Sequence, residues 1–143
     1  STRDWSSDVC SSDLPKDVFD WMAAQGMRWY TMQDIWERGF QDVMREAVQQ
    51  ALGAADHLYI SIDVDSLDPA HAPGTGTPEP GGLVAADLLR MVRQLCLEHR
   101  VVGIDIVEVA PAYDVSELTV NVAHRLAFEC LAGLAARKRR SAG

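Results

Sequence analysis

Apolar positions recur along this chain with two periods, and the periods alternate. Val18, Trp21 and Met22 have helical spacing over Asp17–Gln25, which Gly26 ends, and Met27–Thr31 then reads as a short strand. Thr31 with Asp34 offers a helix start and Gly39 a stop. Phe40–Leu52 follows as an amphipathic helix with Phe40, Val43, Met44, Ala47, Val48 and Ala51 on one face, ended by Gly53. His57–Val64 is a buried strand, and a Pro/Gly-rich loop leads from it to Gly82. The spacing predicts a helix over Val84–His99 that buries Leu88, Leu89, Val92, Leu95 and Cys96. Val101–Val109 is nearly continuous in apolar residues, as strands covered on both faces are. Asp114 and Glu117 form a capping-box-like start for a last helix to about Arg137. Strands alternating with helices predict an α/β fold with a parallel sheet and helical crossovers.

Residues 1–14 break this patterning. Asp4–Leu14, Asp-Trp-Ser-Ser-Asp-Val-Cys-Ser-Ser-Asp-Leu, resembles the in-frame translation of a sequencing-library adapter. The expectation is that residues 1–14 are adapter-derived and adopt no persistent structure, leaving 15–143 as the natural domain. The chain of 143 residues carries a net charge of −8, and residues 15–143, with 12 basic and 18 acidic side chains, carry −6. An acidic balance disfavours nucleic acid and anionic membranes as partners and suits a cationic substrate. The one basic run, Arg137–Arg140, reads as a solvated helix end. Cys96 and Cys130 fall within apolar helical patterns and read as buried thiols of a reducing cytoplasm.

Chemistry concentrates in Ser61-Ile62-Asp63-Val64-Asp65-Ser66-Leu67-Asp68-Pro69 and the loop behind it. Alternation along a strand puts Asp63 and Asp65 on one face, where two carboxylates repel and are costly to desolvate. A divalent cation between them removes both costs. A calcium loop of the EF-hand kind fails, because Leu67 stands where an oxygen donor is needed and Asp68 where a Gly is. A magnesium phosphotransferase would want a Gly-rich phosphate loop, and the glycines here are interleaved with prolines. Glu108 ends the next strand in Gly103-Ile104-Asp105-Ile106-Val107-Glu108-Val109-Ala110-Pro111, so two elements deliver three carboxylates to one rim of the sheet. Parity alone decides nothing for Asp105. Asp68 reads as a turn residue and Asp114 as a helix cap. His57, His71, His99 and His124 follow no ligand spacing.

Ser61, Ile62, Asp63, Val64, Asp65, Pro69, Pro73, Gly74 and Gly82 together resemble the second aspartate block of the ureohydrolases, the arginase/agmatinase family of dinuclear manganese enzymes. The resemblance implies the C-terminal part of a three-layer parallel-sheet fold. It implies that Asp63 bridges two Mn2+ ions, that Asp65 ligates one of them, and that Glu108 grips a guanidinium. A water activated between the ions would then release urea and an amine. Gly74–Gly82 and Val107–Asp114 are similar to the agmatinase and guanidinobutyrase branch, with agmatine the expected substrate, since arginases tend to carry Ala at the place of Gly74. The family's upstream Gly-Gly-Asp-His and Asp-Ala-His-x-Asp blocks, with both metal-binding histidines, do not occur here. No residue of this chain is therefore assigned the proton-transfer role, and the chain by itself is expected to be an inactive half-domain. The family also implies trimers or hexamers.

Overall fold

The computed structural model describes residues 15–141. The expectation that residues 1–14 are unstructured falls outside them. The fold divides into two compact units between Gln50 and Ala51.

In the first unit α1 (Lys16–Ala24) leads through Gly26, at φ 74°, into an extended segment. Met27–Thr31 forms no strand: it lacks a ladder partner among the described residues, and a strand exists only in pairing. Phe19 and Trp29 stack at a tilt of 47°, with ring centroids 5.4 Å apart. The Thr31–Asp34 capping box opens α2 (Met32–Arg38) as the sequence predicts, Asp34 N–H donating to Thr31 Oγ1 at 3.2 Å and Thr31 N–H to Asp34 Oδ2 at 2.8 Å. Gly39, at φ 86°, separates α2 from α3 (Phe40–Ala54). That helix runs through Gly53 rather than stopping there, since a helical glycine costs only about 1 kcal/mol.

In the second unit β1 (Leu58–Asp63), α4 (Ala85–Glu98), β2 (Val101–Val107) and α5 (Leu118–Ser141) alternate strand and helix along the chain. The two strands pair in parallel, Ile60 opposite Ile104, Ser61 opposite Asp105 and Asp63 opposite Val107. The register settles which residues share a face. Ile60, Ile62, Ile104 and Ile106 pack with Val92 and Cys96 of α4 and Leu126 and Cys130 of α5. Tyr59, Ser61 and Asp63 take the opposite face, where Tyr59 of β1 and Val107 of β2 are exposed, so the burial of β2 on both faces that the sequence predicts is not seen among the described residues. Gly133 lets α5 approach α4 closely: a Cβ there would meet Arg93 O and Cys96 Cβ at 2.7 Å. Glu129, 6% exposed, is held there by Arg93 and Arg125 at 3.0 and 2.7 Å.

Candidate metal centre

β1 stops at Asp63, one residue short of expectation, because Asp63 uses its own side chain to turn the backbone. Its Oδ1 accepts the N–H of Asp65 at 3.1 Å, and Val64–Ser66 becomes a 3₁₀ turn. Asp65 is thus not a strand residue. The turn, rather than the strand pleat, brings the two carboxylates together. Ser66 Oγ closes it by donating to Asp63 O at 2.6 Å.

The loop behind the turn is anchored at both ends. Asp68 accepts from Ala70 N–H and Gly81 N–H, both at 2.8 Å, which makes it the turn residue the sequence suggested. Leu67 and Leu83 form a parallel bridge beside it. Thr77 Oγ1 donates to Asp65 Oδ2 at 2.9 Å and so fixes that carboxylate, a contact sequence reasoning missed. Only the return of the loop reveals it.

Glu108 lies just beyond β2, which ends at Val107 rather than Val109. Its φ of 62° places it in the left-handed region, unusual for a residue with a Cβ. The charge of Glu108 acts on Asp63 at the end of β1. Burial pushes the Asp63 carboxyl above its ordinary value, and the negative charges of Asp65 and Glu108 push it further, against the opposing Asp65 N–H bond. None of the three carboxylates is paired with a Lys, Arg or His among the described residues.

Asp114 is a cap, as expected, but not in a capping box. Ser116 and Glu117 both have positive φ, at 56° and 57°, and the helix starts only at Leu118. Asp114 reaches over them to accept from Thr119 N–H at 3.0 Å and Val120 N–H at 2.9 Å. The four histidines join no cluster of potential ligands among the described residues.

The donor set suits a hard dication. Asp63 and Asp65 offer anionic oxygens, one of them part-buried and short of positive charge. No three potential ligands among the described residues enclose a cation by themselves.

Residues 8–133 match the Arginase family model. The human mitochondrial guanidino acid hydrolase is 42% identical over 126 residues, which is 88% of this chain and 35% of that protein. An agmatinase from Edwardsiella ictaluri is 49% identical over 102 residues, 71% of this chain and 33% of its own. Among solved structures, formimidoylglutamase from Bacillus subtilis superposes with a TM-score of 0.81 at 30% identity, over 87% of this chain and 39% of that one. The agmatine ureohydrolase of Thermoplasma volcanium does so at 0.75 and 29%, over 88% and 41%. The chain therefore spans about a third of the length of the curated relatives it matches.

Proposed function

Because the chain belongs to the arginase family, we propose that it forms part of a manganese-dependent hydrolase that cleaves a guanidino compound to urea and an amine. The observation that carries this reading is that Asp63, Asp65 and Glu108 lie at or just beyond the ends of two parallel strands, with no Lys, Arg or His paired to them among the described residues. Asp63 and Asp65 would hold Mn2+, which, when bound, supplies a water that is nucleophilic near neutral pH.

Glu108 binds the substrate. A carboxylate matches a guanidinium with two parallel hydrogen bonds, and the left-handed backbone fixes the direction from which they are made. Thr77 holds Asp65 in one orientation, and the Asp65 N–H does the same for Asp63, so neither carboxylate must be ordered when a cation arrives.

Agmatine is the substrate we propose, on the acidic balance of the chain and its likeness to agmatinases. A guanidino acid such as guanidinobutyrate is the second reading, favoured by the human guanidino acid hydrolase. A homo-oligomer and a cytoplasmic location complete the proposal. The free, buried Cys96 and Cys130 fit a reducing compartment, and no helix among the described residues is long and apolar enough to cross a membrane.

The test is a full-length chimera in which residues 15–141 replace the matching stretch of an agmatinase. With Mn2+ it is expected to release urea from agmatine faster than from guanidinobutyrate or arginine. Release from none of the three overturns the function, and preference for guanidinobutyrate selects the second reading.

A further inference from the structure

Thr119 is fully buried in the first turn of α5, yet the helix cap does not use its hydroxyl. Its backbone N–H is already capped by Asp114 Oδ1 at 3.0 Å. Its Oγ1 instead accepts the N–H of Gly74 at 2.7 Å, across 45 residues of sequence. Gly74 O in turn accepts the N–H of Ala110 at 2.8 Å. Both polar backbone groups of Gly74 are therefore bonded to the chain that follows Glu108, and Asp114 leaves position 74 no room for a side chain. This clasp joins two parts of the candidate site. Gly74 stands three residues before Thr77, whose hydroxyl holds Asp65. Ala110 stands two residues after Glu108 with its left-handed backbone. Three extended residues reach at most about 11 Å, so a shift at the clasp passes to both sides.

We infer that Thr119 is a positioning residue for the proposed substrate site: through Gly74 it fixes the spacing between the loop that holds Asp65 and the segment that carries Glu108. This deepens the proposed function and rests on its assignment of Glu108 to the guanidinium. Thr119 touches neither Asp65 nor Glu108 and acts only through the Gly74 backbone. A guanidinium held by Glu108 must lie in register with the Asp63–Asp65 turn, and a misplacement of about 1 Å by a residue far from the chemistry costs roughly 100-fold in rate. A buried hydroxyl that accepts one loop N–H sets that register more firmly than an apolar contact, because hydrogen bonds are directional and a buried N–H without a partner is costly.

Amide hydrogen exchange of the 143-residue chain, read residue by residue by NMR, tests the clasp, and kinetics of the full-length chimera test its role. In the unsubstituted chain the Gly74 and Ala110 amides are expected to exchange slowly although both lie in loops. Exchange at the rate of unstructured backbone overturns the inference without any variant. Thr119→Val keeps the shape and removes the acceptor, and is expected to speed exchange at Gly74 and Ala110 about 10-fold or more while the core amides of Val92 and Leu126 keep their rates. Equal acceleration at all four would mean that the hydroxyl only stabilises the fold, and overturns it too. In the chimera, Thr119→Val is expected to lower kcat/KM for the preferred guanidino substrate roughly 10- to 100-fold with bound manganese unchanged, and Thr119→Ser to restore it. Unchanged kcat/KM in Thr119→Val, no rescue by Thr119→Ser, or manganese lost alongside activity overturns the positioning role and leaves the proposed function standing. A chimera that releases no urea before any substitution overturns both.

Discussion

Gly74 is packed so closely on Asp114 that a Cβ at position 74 would stand 2.5 Å from Asp114 Cβ. The contact joins the loop behind the aspartate pair to the loop behind Glu108. Gly74 N–H donates to Thr119 Oγ1 at 2.7 Å, and Gly74 O accepts from Ala110 N–H at 2.8 Å. Gly74→Ala must therefore push the two loops apart, and overpacking of that kind costs about 1–3 kcal/mol. Gly76→Ala is the control, because a Cβ there meets nothing within 4 Å. Chemical denaturation should show a loss for the first substitution well beyond that for the second. Equal midpoints would mean that the loops are not pressed together at Gly74.

Glu108 carries a backbone conformation that glycine adopts without strain. Glu108→Gly is expected to stabilise the second unit by about 1 kcal/mol while removing the proposed guanidinium contact. Glu108→Gln keeps the strain and should leave stability unchanged. Thermal unfolding of the two variants side by side checks this, and a destabilised Glu108→Gly would show that the side chain, not the backbone, anchors the segment.

The ion-paired Glu129 gives the α4–α5 contact a pH dependence. Its bond to Arg125 and then that to Arg93 hold it below its ordinary value of 4.5. The unfolded chain binds that proton more readily than the folded one, so the contribution is present above the ordinary carboxylate range and disappears as pH falls through the lowered folded value. Between about pH 5 and about pH 3 the melting temperature should fall less steeply in Glu129→Gln than in the unsubstituted chain. Parallel profiles would show that Glu129 contributes no acid sensitivity.

The strands, α4 and α5 are legible in the sequence because their apolar periods coincide with the faces they bury. Val92 and Cys96 fall on the predicted stripe of α4 and are fully buried. Met27–Thr31 has strand-like residues, but whether they pair is a tertiary matter that composition does not carry. The candidate site is legible in its residues and not in its geometry. Residue type and spacing point to Asp63, Asp65 and Glu108, whereas the geometry that unites them comes from local chemistry that overrides the period. Asp63 caps its own turn, and Glu108 takes a conformation its residue type disfavours. Contacts across long sequence separations, Thr77 with Asp65 and Tyr59 with Asp105, are set by loop return and ladder register. No period encodes either of them.

The 143-residue chain alone is expected to show no urea release from agmatine with Mn2+. A hard dication takes roughly six ligands, and Asp63 and Asp65 leave most positions to mobile water, so the nucleophile lacks a fixed geometry. Turnover above a metal-only blank, lost in Asp63→Ala, would show that these two carboxylates suffice.

In the full-length chimera, the metal and substrate roles can be separated by measuring bound manganese and urea release on the same preparations of Asp63→Ala and Glu108→Gln. The proposed division of labour predicts that Asp63→Ala loses metal and activity together, whereas Glu108→Gln retains its manganese and loses activity through a raised KM or a lowered kcat. Equal manganese loss in both variants, or full metal retention in Asp63→Ala, would contradict it.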